Sequence, residues 1–123
     1  MSHGPKFLAL VNEARKRVRE TNVADVKRRL DAGEKILLVD VREESEWGRG
    51  HLPGAVHLGK GIIERDIEQS VPNTDTKLIL YCGGGFRSVL TAENLQKMGY
   101  SNVESMDGGW KGWLLAGFPT QKD

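Results

Sequence analysis

The stretch Leu78-Ile79-Leu80-Tyr81-Cys82-Gly83-Gly84-Gly85-Phe86-Arg87-Ser88 decides how this chain is read. The apolar run before Cys82 has the length of a buried strand, and after it Val89, Leu90, Leu95 and Met98 recur at the spacing of one helix face. Cys82 therefore sits on a strand-to-helix turn. Consecutive glycines open backbone conformations closed to other residues, so successive N–H groups can converge beside a helix N-terminus and hold an anion. A sulfur placed there is favoured as a thiolate, the nucleophilic form, and the same donors suit an anionic adduct or a substrate oxyanion. Cys82 is the only cysteine in 123 residues. A lone cysteine is ordinarily a small buried hydrophobe. That role requires neither the glycines nor the arginine that follow, so the reading favours a reactive thiolate.

Working outward, the chain alternates helical and strand patterns. A continuous apolar run at 36–41 reads as a parallel strand buried on both faces. Further strands are expected at 55–58, 78–82 and 103–105. Helices are expected near 24–32, where Gly33 stops the run, and near 43–48, 61–69, 88–98 and 109–116. At the N-terminus, 5–20 places Phe7, Leu8, Val11, Ala14 and Val18 at helical spacing, with Lys6, Arg15, Arg17 and Arg19 on other faces. This amphipathic helix is expected to pack its apolar stripe on the domain. Met1 to Gly4 are given no role. The whole is an α/β sandwich with a mainly parallel sheet, divided as an N-terminal extension, 1–22, and a domain, 23–123, that together make one compact unit.

The position of the arginine identifies the anion chemistry. Cysteine-dependent phosphatases share a Cys, five residues and then Arg, but here that sixth position holds Ser88 and Arg87 comes one residue early. The pattern Cys82, Gly85, Arg87, Ser88 instead resembles the active-site loop of the rhodanese family of sulfurtransferases. Upstream, Val39-Asp40-Val41-Arg42, then Glu46-Trp47 and Gly50-His51-Leu52-Pro53-Gly54-Ala55, resembles the family's first signature. Downstream, Gly108-Gly109-Trp110 with Trp113, Ala116-Gly117 and Pro119 resembles its C-terminal one. The resemblance spans most of the chain, from about Val23 to Pro119. It implies a three-layer sandwich, a five-stranded mainly parallel sheet with helices on both faces.

The resemblance also implies a function. Cys82 takes sulfane sulfur from thiosulfate or a similar donor as a persulfide held by the loop Gly83, Gly84, Gly85, Phe86, Arg87 and Ser88, then passes it to cyanide, a small thiol or a thiol protein. The alternative is a persulfide carrier or sulfur-relay module with low turnover on small molecules. With no second thiol in the chain, the acceptor must come from outside. Gly84 and Gly85 are both expected to need glycine for backbone conformation.

Asp40, Arg42, Glu46 and His51 are expected to support the site. Asp40, at a strand end, must find N–H donors or a cation. Arg42 and Glu46, four apart, suit an ion pair. A catalytic base at His51 is disfavoured, because in the resemblance that histidine belongs to the structural signature. Lys60, Glu64 and Arg65 lie in the stretch after His57-Leu58-Gly59, which in the family passes over the active-site mouth, so they are candidates for a pocket rim against a solvated helix face. Trp47, Trp110 and Trp113 read as core and lid residues. His3, His51 and His57 show no metal-ligand spacing, and neither metal nor cofactor is expected. Lys plus Arg at 18 against Asp plus Glu at 17 leaves a net charge of +1, which gives no pull toward nucleic acid. The absence of a long apolar run or a signal pattern leads to the expectation of a cytoplasmic protein without a membrane partner.

Overall fold

Leu78, Leu80 and Cys82 pack into one hydrophobic layer and Ile79 and Tyr81 into the other, the alternation of a strand covered on both faces. The structure is a computed structural model and describes residues 3–123, so the first two residues of the expected extension lie outside the described residues. The elements run α1 (Pro5–Arg15), β1 (Arg19–Asn22), α2 (Val23–Asp31), β2 (Leu37–Asp40), α3 (Glu44–Trp47) and β3 (Val56–His57). They continue as α4 (Ile63–Ser70), β4 (Leu78–Tyr81), α5 (Arg87–Lys97), β5 (Val103–Asp107) and α6 (Gly109–Leu115). The strands form a five-stranded sheet in the order β1-β5-β4-β2-β3. Every strand pairing in it is parallel.

Helices α1, α4 and α5 cover one face through Val11, Ala14, Ile63, Ile67, Val89, Ala92 and Leu95. Helices α2 and α6 cover the other through Val23, Val26 and Trp113, against Leu38, Ile79, Tyr81 and Met106. Each fully buried aliphatic side chain in these layers contributes about 1.5–3 kcal/mol of transfer free energy, which outweighs local propensity. Among the described residues no helix is long and apolar enough to cross a membrane.

The N-terminus departs from expectation. The helix expected over 5–20 stops at Arg15, and Arg19–Asn22 become an edge strand paired with β5. Val18 is buried in the connection between them. Strand β1 carries the polar sequence RETN with only Thr21 buried, so neither a continuous apolar run nor alternation marks it. Charged side chains on an exposed edge strand also discourage pairing with other chains.

Register places the site. Asp40 at the end of β2 lies opposite Tyr81 at the end of β4, and β5 runs beside β4. Residues following β2, β4 and β5 therefore emerge side by side at the carboxyl edge of the sheet, where open α/β sheets bind ligands.

Candidate active site

Cys82 follows β4 directly and is 1% exposed. Its Sγ accepts hydrogen bonds from the backbone N–H of Gly85 at 3.2 Å and of Ser88 at 3.4 Å, and the Ser88 hydroxyl lies 3.4 Å away. Ser88 stands in the first turn of α5, so the helix N-terminus adds its partial positive charge at the same point. The Ser88 hydroxyl also bonds the Ser105 hydroxyl of β5 at 2.8 Å, which fixes it beneath the sulfur. Ser105 carries no sequence signature and was not among the expected site residues.

The turn after β5 buttresses the loop from behind. Trp110 N–H donates to the Cys82 carbonyl at 2.8 Å and Lys111 N–H to the Gly83 carbonyl at 3.0 Å. This close approach requires Gly109, where a Cβ would lie 2.9 Å from the Gly83 carbonyl carbon. Gly85 has a φ of 104°, and a Cβ there would stand 3.1 Å from Asp107 Cα. Gly84 differs from the expectation. Its φ is not positive, and an added Cβ would meet only the Phe86 ring at 3.7 Å, an ordinary contact. Of this pair, only Gly85 is tied to glycine by its backbone.

The expected pairing of Arg42 with Glu46 does not form. Arg42 precedes the N-cap of the one-turn helix α3, so helical i,i+4 spacing does not apply to it. Its guanidinium instead grips Asp40 through Nε at 3.0 Å and Nη2 at 2.7 Å, and Nη2 donates to the Gly50 carbonyl at 2.6 Å. Arg42 also lies 4.6 Å from the Trp110 ring, so one buried cation ties the β2 end, the Gly50 loop and α6 together. Glu46 is taken by Arg87 in a two-pronged pair, Nη1 to Oε1 at 2.9 Å and Nη2 to Oε2 at 3.1 Å. The Arg87 hydrogen bonds lower the Glu46 carboxyl to about 2. In return the hydrogen bonds to Glu46 raise Arg87.

His51 is buried with Nδ1 2.9 Å from the Leu52 carbonyl and Nε2 3.2 Å from Asp123, and its ring stacks on Trp47 at 3.6 Å. Both ring nitrogens are thus engaged away from Cys82.

A cleft of ≈ 670 Å³ opens over the sulfur, lined by His3, Gly4, Phe7, Glu46, Cys82, Gly83, Gly84, Phe86, Arg87 and Lys111. Lys60, Glu64 and Arg65 do not line it, contrary to the expectation for a rim. Glu64 accepts from Asn94 at 2.8 Å on the flank of α5, and Arg65 is an exposed residue that pairs with its neighbour Asp66 at 2.6 Å. The start of α1 occupies the place those residues were expected to fill. Lys111 supplies the cation, and among the described residues it makes no ion pair.

Comparison with known proteins gives the family. The family model for the rhodanese-like domain matches residues 22–116. The chain is 31% identical over 96 residues to YtwF of Bacillus subtilis (strain 168), named as a candidate sulfurtransferase, across 78% of this chain and 90% of that one. It is 32% identical over 78 residues to the thiosulfate sulfurtransferase GlpE of Tolumonas auensis, across 63% of this chain and 72% of that one. Among solved structures, a Rhodopseudomonas palustris protein of unknown function, described as a candidate tyrosine phosphatase, matches with a TM-score of 0.82 at 29% identity. That match covers 98% of this chain and 96% of the other. The phosphatase description does not carry over, because Ser88 stands where a phosphatase loop places its arginine. The chain belongs to the rhodanese-like domain family, relatives of which are sulfurtransferases.

Proposed function

We propose that the protein is a sulfurtransferase in which Cys82 carries the transferred sulfur. The Cys82 thiolate attacks the outer sulfur of thiosulfate, a new S–S bond forms, and the bond inside the donor breaks with its electron pair leaving on sulfite. The persulfide on Cys82 then has its terminal sulfur removed by a nucleophile. With cyanide the product is thiocyanate and the thiolate is regenerated; with a thiol the product is a new persulfide.

The observation that carries this reading is the Sγ of Cys82 at the floor of a cleft, receiving the N–H groups of Gly85 and Ser88. Donors fixed in that geometry stabilise negative charge on sulfur without reorganising during the reaction. Arg87, held by Glu46, shapes the loop and adds positive charge beside it. Lys111, rather than Lys60 or Arg65, is placed to attract an anionic donor to the cleft.

Turnover of thiosulfate and cyanide to thiocyanate by wild type, and none by Cys82→Ser, is the expected result. Lys111→Met should raise KM for thiosulfate roughly fivefold with kcat little changed, as loss of an exposed charge interaction predicts. Equal turnover by Cys82→Ser would overturn the assignment. Sulfur loading without turnover would identify a carrier that delivers to a dedicated acceptor.

A further inference from the structure

The cleft over Cys82 is larger and more aromatic than a small inorganic anion needs. Its ≈ 670 Å³ falls within the range of about 300–1,000 Å³ typical of sites for organic ligands. One wall is a cluster of rings: His3 lies 4.5 Å from Phe86 and 5.1 Å from Phe7, and Phe7 lies 6.3 Å from Phe86. The Arg15 guanidinium stands 5.1 Å from the Phe86 ring. His3, Phe7 and Arg15 all precede residues 22–116, the part matched by the domain family. Helix α1 is not loosely attached, since Val11 and Ala14 are buried in the core against α5. The same cleft is also lined by charge, the Glu46–Arg87 pair and Lys111.

We infer that α1 sets the substrate class of this site, selecting an organic sulfane-sulfur anion whose apolar or aromatic substituent lies against Phe7, Phe86 and His3. Its anionic sulfur end then points at Lys111 and the Cys82 loop. The inference rests on the sulfur-transfer reading of Cys82. For a thiosulfonate R–SO2–S⁻, the Cys82 thiolate attacks the terminal sulfur. The S–S bond to Cys82 forms, the donor's own S–S bond breaks, and the electron pair leaves on the sulfinate R–SO2⁻. The bonds formed and broken are those of the thiosulfate reaction, with an organic group in place of one oxygen and one negative charge fewer on both the donor and the leaving group.

The test compares persulfide formation from benzenethiosulfonate and from thiosulfate in wild type, Phe7→Ala, Phe7→Leu and His3→Ala. The two donors differ in intrinsic reactivity, but that difference cancels when the ratio of their kcat/KM values is compared between proteins. The ratio of aryl donor to thiosulfate should fall about tenfold in Phe7→Ala and about threefold in His3→Ala, the size expected for lost ring contacts. Phe7 is half-buried against the core, so Phe7→Leu keeps its apolar volume while removing the ring, and exposed His3 is replaced without touching the core. Ratios within about twofold of wild type in folded Phe7→Leu and His3→Ala would overturn the inference and leave the sulfur-transfer reading intact. Failure of wild type to load sulfur from either donor would overturn both.

Discussion

Asp40–Arg42 and Glu46–Arg87 each pair a carboxylate with a guanidinium at the carboxyl edge of the sheet, yet their side chains are 0% and 3% exposed in the first pair and 31% each in the second. The difference separates scaffold from site. Asp40–Arg42 is sealed under Trp110 and the Gly50 loop, where every polar atom must be satisfied because no water reaches it. Glu46–Arg87 lines the cleft, where water screens it and where it acts on the Cys82 loop rather than on the fold. One pair makes the edge rigid. The other arranges charge beside the sulfur.

The comparison is tested first by breaking its buried half. Asp40→Ala leaves the Arg42 charge buried without its carboxylate, and should destabilise the protein by about 3–5 kcal/mol, read as a shift in denaturant midpoint. A loss well under about 1 kcal/mol would mean that the buried pair holds nothing together.

Within the loop, Gly85 and Gly84 provide a sharper contrast. Gly85→Ala strains a positive φ and drives a Cβ toward Asp107, so it should lower stability by about 1–3 kcal/mol and slow persulfide formation roughly a hundredfold through a misaimed N–H. Gly84→Ala should leave both near wild type. Stopped-flow loading rates beside denaturation curves separate the two, and equal losses in both variants would show that the loop tolerates no Cβ anywhere.

The exposed pair should give the smallest change in stability. Glu46→Gln should cost about 1 kcal/mol or less at neutral pH, as solvent screening limits a half-exposed pair. Its pH dependence has a definite sign. The Glu46 carboxyl is lowered from 4.5 to about 2 in the fold, so the stabilisation is fully present above pH 4.5 and is lost as pH falls toward 2. The difference between wild type and Glu46→Gln in urea midpoint should therefore shrink through that window, and a difference that grows on acidification would contradict the pairing.

Much of this edge was legible in the sequence. The apolar runs gave β2 and β4 because they are buried on both faces, and the glycine-rich turn after Tyr81 gave the Cys82 loop. What escaped has physical causes. Strand β1 is polar because it is an edge, so burial left no periodic trace on Arg19–Asn22. The Arg42–Glu46 pairing followed helical spacing into a residue that lies before the helix, whereas the true partners of Glu46 and Arg42 are fixed by tertiary approach. The rim was misplaced for the same reason. Whether α1 or the chain after Leu58 covers Cys82 depends on how α1 docks on α5, and neither stretch carries a local mark of that choice.

The central claim is that Cys82 accepts sulfane sulfur, and intact-mass analysis after exposure to thiosulfate tests it most directly. Wild type should gain the mass of one sulfur atom, lose it again on addition of cyanide, and Cys82→Ser should gain none. An unchanged wild-type mass with thiosulfate and with an organic thiosulfonate, in protein that is folded and has a free thiol, would contradict the account.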